Sequence, residues 1–152
     1  MILWDIDIAG AEKTASLIRA AGGSAYAYRV DVTNREEVYR IANQVKEEVA
    51  EVTMLINNAG IVSGKKIFDP DNSDGYMVKT MEVNTISHFW TVKAFLPAMI
   101  SRNHGHLVTV ASSAGLVGVN GLADYCASKF GKLCRVPSRA LCASCLCFIV
   151  NG

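Results

Sequence analysis

Apolar residues along this chain fall into two alternating rhythms, short runs and helically spaced stripes. Ile2 to Asp5 is a brief apolar run closed by a carboxylate, as a buried strand would be. Ala11 to Ala21 follows at helical spacing and stops at Gly22-Gly23, in the position of a C-terminal cap. Ser24 to Val30 alternates small, aromatic and polar residues and predicts a second strand. Thr33-Asn34-Arg35-Glu36 predicts a capping box, with Thr33 accepting from the first-turn amides and Glu36 reaching back. The helix beyond it carries Val38, Ile41, Ala42, Val45 and Val49 on one side and Arg40, Lys46, Glu47 and Glu48 on the other. Thr53 to Ile56 is a third strand running into Asn57-Asn58-Ala59-Gly60. A polar loop from Ser63 to Gly75 then leads to a long helix, expected from near Met77 to around Ser101 and bent near its end by Pro97. His106 to Val110 supplies a fourth strand. Strands alternating with helices at this period predict an α/β fold, a doubly wound parallel sheet whose ligands sit at the strands' carboxyl ends.

Composition narrows the function classes. The 152 residues are 51% hydrophobic with a formal charge of +1, which suits one folded domain and leaves no basic stripe for a phosphate backbone; nucleic acid is excluded as an expected partner. The longest apolar stretch, near Leu141 to Val150, falls far short of the roughly 20 residues a membrane-spanning helix needs, and no signal-peptide pattern opens the chain. The expectation for the chain as written is a soluble or peripherally bound protein. Cys134, Cys142, Cys145 and Cys147 crowd the end, but a single C-x-x-C without a second half does not make a zinc site, so no metal is expected.

The candidate chemistry centres on Tyr125-Cys126-Ala127-Ser128-Lys129. On a helix Tyr125 and Lys129 stand one turn apart on the same face, where an ammonium stabilises a phenolate and makes the phenol a usable general acid or base. Ser112 lies thirteen positions upstream, beside Ser113, at the end of the fourth strand. Asp5 closes the first strand, where a carboxylate can accept both hydroxyls of an adenosine ribose and repel a 2′-phosphate; Asp7 is the alternative for that role. Asp31-Val32 follows the second strand, either at a ligand or capping the next helix. Asn57-Asn58-Ala59-Gly60 is either a turn or a place where small residues let a ligand approach the backbone. Asn84, within the long helix, has poor helical propensity and so suggests a local task, which buried-amide satisfaction would also explain.

Taken together, Asn57-Asn58-Ala59-Gly60, Asn84, Ser112 and Tyr125-x-x-x-Lys129 resemble, in order and spacing, the short-chain dehydrogenase/reductase family. Leu3-Trp4-Asp5-Ile6, Lys93 to Met99 and Asn103 to His106 are similar to its branch of epidermal-type retinol dehydrogenases and related 17-beta-hydroxysteroid dehydrogenases. The resemblance implies hydride exchange between NAD, in preference to NADP, and a lipophilic alcohol or ketone such as retinol or a steroid. It implies catalytic roles for Asn84, Ser112, Tyr125 and Lys129, with Ser112 on the substrate oxygen and Asn84 ordering a water in a proton relay. The cofactor would lie on Asp5, Asp31, Val32, Asn58, Ala59, Gly60, Tyr125 and Lys129. Family dimers pair through the long helix and the Tyr125 helix, and relatives sit on endoplasmic reticulum or lipid-droplet membranes.

The chain also departs from the family pattern. The opening strand and its Gly-rich T-G-x-x-x-G-x-G turn have no counterpart here, and the resemblance runs to Gly131, after which Pro137 is expected to stop the helix. The expectation is an incomplete dinucleotide-binding domain over residues 1–131, followed by an unrelated Cys-rich segment over 132–152. A non-catalytic product of such a gene is the alternative to an active enzyme.

Overall fold

The computed structural model describes residues 1–132 and, as backbone, 146–151. Two parallel ladders form. The first pairs β1 (Ile2–Asp5) with β2 (Tyr26–Arg29) in the register Ile2 to Tyr26 and Asp5 to Arg29. The second has the order β3-β4-β5, with β3 (Met54–Asn57) set against β4 (His106–Ser112) from Met54–His106 to Asn57–Thr109. β5 (Leu146–Asn151) lies on the other edge of β4, from Leu107–Leu146 to Ser112–Asn151. It falls inside the segment expected to stand apart, and its apolar run suits a strand in a parallel sheet. Cys134, Cys142, Cys145 and Pro137, on which further expectations rested, lie outside the described residues, as does the side chain of Cys147.

Helices complete the alternation. α1 (Ile8–Ala20) starts at Asp7, whose side chain accepts from the Ala9 amide. α2 (Arg35–Glu48) buries Val38, Ile41, Ala42 and Val45, the stripe its periodicity predicts. Its cap differs from the expected one. Asn34, not Thr33, receives the Glu37 amide at 3.1 Å, and Glu37 rather than Glu36 reaches back, accepting from the Asp31 amide at 3.2 Å. Thr33 is drawn away because its amide and hydroxyl both donate to Asp31, at 2.9 and 2.7 Å.

The long helix begins earlier than expected, at Asp74, because Ser73 accepts from the Tyr76 amide and caps it. It comprises α3 (Asp74–Met81), a π-helical segment at Glu82–Ile86, and α4 (Ser87–Ser101). Pro97 lies inside α4, which runs on to Ser101. α5 (Ala123–Lys132) carries Tyr125.

The two ladders share no strand pairing among the described residues, and side chains connect them. Val30, Val38, Ile41 and Val45 form one buried cluster; Ala42, Phe95, Leu96 and Met99 form another, and Trp4 packs against both. The rings of Trp4 and Phe95 lie 5.5 Å apart in a tilted arrangement, so β1 is joined to α4 across the space between the ladders. Among the described residues no helix is long and apolar enough to cross a membrane.

The corrected cap makes a discriminating prediction. Asn34→Ala should lower stability by about 1 kcal/mol in urea titration, and Asn34→Asp should restore most of it. Thr33→Ala should act instead through the Asp31 contacts described below, without the same loss of α2 helicity in circular dichroism.

Candidate active site

The candidate residues lie at or just after the carboxyl ends of β1 to β4 and on the helices that follow. Ser112 is the last residue of β4 and is buried. Its Oγ accepts from the Ala114 amide at 3.2 Å, capping the 3₁₀ turn Ser113–Gly115, while its hydroxyl hydrogen is left to donate elsewhere. Ser113 is only half-buried and starts the turn. That turn packs so closely on α5 that a Cβ on Gly115 would stand 2.7 Å from the Lys129 carbonyl oxygen.

Lys129 is buried, at 5% exposure, on the Tyr125 face of α5. Its Nζ lies 5.3 Å from the centre of the Tyr125 ring and 3.5 Å from the carbonyl oxygen of Val110, two residues before Ser112 on β4. The expected one-turn spacing therefore yields an actual cation–aromatic pair, anchored to the strand that ends in Ser112. Tyr125 is half-buried, with access to solvent.

Asn84 occupies the π-helical segment and is fully buried. Its Oδ1 accepts from the Ile61 amide at 2.7 Å, and its Nδ2 donates to the Ile61 carbonyl at 2.8 Å and to Ser128 Oγ at 2.9 Å. Both amide hydrogens are thus spent on protein. A water beside Asn84 would have to use its backbone carbonyl or the remaining lone pair of Oδ1. The poor helical propensity read in the sequence has its counterpart in local geometry, since a π turn replaces regular helix here.

The remaining candidates line the ends of the other strands. The exposed Asp5 accepts from the Asp7 amide at 2.9 Å; Asp7 itself is committed to capping α1. Asn57 is buried, its Oδ1 accepting from Thr91 Oγ1 at 2.7 Å, so this amide ties β3 to α4 rather than to a neighbouring strand. Asn58 and Gly60 are exposed and Ala59 half-buried, and the Asn58 amide donates to the Ile56 carbonyl at 3.1 Å. Asp31 and Val32 are half-buried. The Asp31 carboxylate also takes Lys79 Nζ at 3.3 Å, and that ammonium donates to Thr33 Oγ1 at 2.8 Å. Desolvation pushes the Asp31 carboxyl upward, but hydrogen bonds from Thr33 and the Lys79 charge outweigh it and hold the group below its ordinary value.

A family model described as short chain dehydrogenase matches residues 1–134. The chain belongs to the short-chain dehydrogenase family. It is 58% identical over 132 residues to human epidermal retinol dehydrogenase 2, a match covering 86% of this chain and 42% of the relative. Human 17-beta-hydroxysteroid dehydrogenase 13 is 45% identical over a 164-position alignment covering 100% of this chain and 54% of that protein. The chain thus spans about half the length of these relatives. Among solved structures, a short-chain dehydrogenase/reductase from Burkholderia phymatum in complex with NAD superposes with a TM-score of 0.79 at 31% identity, over 86% of this chain and 46% of that one. A metagenomic short-chain oxidoreductase in complex with NADP gives 0.79 at 28%, over 86% and 59%. The short-chain dehydrogenase fold is therefore present here as a partial Rossmann-like domain.

Residues of this site that sequence reasoning missed are Ser128, Thr91 and Lys79. Their partners lie 44, 34 and 48 positions away, so no local spacing marks them.

Asp31 gives a pH prediction. A carboxyl held low in the folded state contributes stability that is fully present above its unfolded value, 3.8, and is lost as pH falls through the lower folded value. Urea midpoints measured downward from neutral pH should fall in that acid window. Lys79→Met should lower the neutral-pH midpoint slightly and flatten the acid-side loss.

Proposed function

We propose that the whole protein oxidises a lipophilic alcohol, retinol foremost, with NAD as hydride acceptor. The observation that carries this reading is the buried Lys129 ammonium stacked on Tyr125 and pinned to β4 just before Ser112. The residues present suit a dinucleotide. An exposed carboxylate closes β1, Asn58 and Gly60 are exposed after β3, and Val32 is half-buried after β2. NAD, when bound, supplies an acceptor for the hydride leaving the carbinol carbon.

In this reading Ser112 donates its free hydroxyl hydrogen to the reacting oxygen and fixes the substrate. Tyr125, as phenolate, removes the hydroxyl proton while the C–H pair leaves as hydride and the carbon–oxygen double bond forms. Lys129 stabilises that phenolate and would hold the nicotinamide ribose. Asp5 accepts from the adenosine ribose hydroxyls, and its charge opposes a 2′-phosphate, which supports NAD over NADP. Asp31 and Val32 border the adenine. The retinoid preference rests on the 58% identity to epidermal retinol dehydrogenase 2, against 45% to 17-beta-hydroxysteroid dehydrogenase 13; a hydroxysteroid is the second substrate class. Exposed Val78, Ile86 and Phe89 on the long helix and Phe130 on α5 support pairing of two copies through these helices.

A second reading is favoured by the sheet, namely that the 152-residue polypeptide by itself is not a competent enzyme. Asp5 belongs to one ladder and the Asn58–Gly60 turn follows a strand of the other, with no strand pairing between them among the described residues. Among the described residues the two halves of the nucleotide path are positioned relative to one another by side-chain packing and by polar side-chain contacts such as Lys79 on Asp31 and Lys46 on the Ala94 carbonyl, not by a strand ladder. Residues 1–131 act on this view as a partial dinucleotide-binding unit.

Two measurements check these readings. In the full-length protein Tyr125→Phe should reduce turnover by about three orders of magnitude or more while leaving NADH affinity within a few-fold. Retained turnover would remove Tyr125 from the proton transfer. Calorimetric titration of the 152-residue polypeptide should show NADH binding weakly or not at all; tight one-to-one binding would make the isolated chain a complete nucleotide site.

A further inference from the structure

Between the π-helical segment and α5 lies a buried hydroxyl that the proposed chemistry does not use. Ser128 is fully buried, one residue before Lys129. Its Oγ donates to the Tyr125 carbonyl at 2.7 Å and accepts from Asn84 Nδ2 at 2.9 Å. The Ser128 carbonyl in turn accepts from Thr85 Oγ1 at 2.8 Å. Asn84 and Thr85, neighbours in the π segment, therefore grip both ends of the same residue on α5.

The contact is also tight. A Cβ on Gly131 would stand 2.7 Å from Thr85 Cγ2, so α5 and the π segment approach as closely as a glycine allows. On the other flank of the same turn, Gly115 abuts the Lys129 backbone. The turn from Tyr125 to Lys129 is clamped from two sides, and Ser128 supplies the polar contact on the π-segment side.

A serine inside a helix commonly satisfies its hydroxyl on a carbonyl of the preceding turn and stops there. Here the lone pairs are used as well, by an amide whose orientation has no freedom. The Ile61 N–H requires Oδ1 on its side and the Ile61 carbonyl requires Nδ2, so the remaining Nδ2 hydrogen is aimed at Ser128 alone. We propose that Ser128 is a positioning residue that transmits the fixed orientation of Asn84, and with it the loop at Ile61, to the Tyr125–Lys129 turn. It contacts neither substrate nor cofactor. Its effect is to hold the phenol at one distance from the lysine and from Ser112, so the nucleotide-side loop and the proton-transfer helix move as one body.

The proposal rests on Tyr125 being the proton acceptor only for its kinetic consequence; the mechanical part is independent. Hydrogen exchange on the 152-residue chain tests that part. Ser128→Ala leaves Nδ2 without its second acceptor and should speed exchange of the Ile61 amide at least tenfold, with the Val45 amide in α2 unchanged. An unchanged Ile61 rate, or equal acceleration at both amides, would overturn the proposal.

In the full-length protein Ser128→Ala should lower kcat about tenfold or more with KM for the alcohol little changed, and should move the acid limb of the kcat profile to higher pH. Ser128→Thr keeps the hydroxyl and should return the profile to that of the parent. Ser128→Cys, of similar size but a weaker acceptor, should not, and this pair decides the matter if the alanine variant fails to fold. The effect of Ser128→Ala should largely vanish in an Asn84→Ala background. A parent-like pH profile in Ser128→Ala would overturn the kinetic part. A full-length protein without turnover would instead remove the functional reading and leave the exchange result standing.

Discussion

The Tyr125 side of the candidate site is referenced to one buried primary amide. Withdrawing an amide from water without replacing its hydrogen bonds costs roughly 1–3 kcal/mol in proteins, so a fully buried asparagine is tolerable only when its environment is complementary. Asn84 meets that condition with three bonds, two to the backbone of Ile61 and one to Ser128. Thr91, two turns further along the same helix, secures the end of β3 through Asn57. The long helix thus fixes the strand end, the loop after it and the Tyr125 helix through side chains on a single element. The π turn places that amide and Thr85 toward α5, at the cost of regular helical hydrogen bonding, in keeping with the frequent placement of such turns at functional sites.

The clamp explains which parts of the fold the sequence reveals. β1 to β4 and the buried face of α2 follow from short apolar runs and helical stripes, and their bounds in the structure shift by only a residue or two. The cap of α2 falls one position later than the sequence pattern suggests because Thr33 and Asn34 are both good caps. Their ranking is decided by Asp31, whose carboxylate captures the Thr33 hydroxyl, and no propensity scale contains that competition. Ser73 starts the long helix before its apolar pattern becomes visible. Ser112, Tyr125 and Lys129 are legible because the family resemblance rests on their fixed spacing within one strand–helix unit. Ser128, Thr91 and Lys79 were not, since each acts on a partner at least 34 residues away.

Packing between the two ladders follows a different logic. With no pairing between β1 and β3 among the described residues, cohesion depends on α2 and α4 covering both, on the Trp4–Phe95 contact, and on the polar contacts of Lys46 with the Ala94 carbonyl and of Lys79 with Asp31. The junction is imperfect, for the indole N–H of Trp4 is buried without a hydrogen-bond partner among the described residues. Ile56, on the strand that would face β1, remains half exposed at 51%. Apolar cohesion is non-directional, whereas a parallel ladder fixes register residue by residue. The Asn84 clamp bonds the Tyr125–Lys129 turn directly to the loop after β3, whereas the Asp5 side is tied in through packing and the polar contacts at Asp31 and Lys46.

That asymmetry bears on Lys129. A buried ammonium is expensive unless charge or several good acceptors compensate it, and here it has a 3.5 Å contact to one carbonyl and the face of one phenol ring. Neither is a full counter-charge. A long neutral hydrogen bond is weak, and a cation–aromatic contact contributes about 0.5–2 kcal/mol. In the proposed reading the compensating charge is a Tyr125 phenolate, which would face the ammonium within a partly dehydrated space, where Coulomb attraction exceeds its value in water. The placement that taxes the resting fold would then be the one that serves the proposed proton transfer. It can do so only if the helix turn bearing both residues does not relax to bring Lys129 into solvent. Gly115 on one flank and the Asn84–Ser128 contact on the other oppose that relaxation, which ties the polar clamp inside the protein to the proposed proton transfer at its edge.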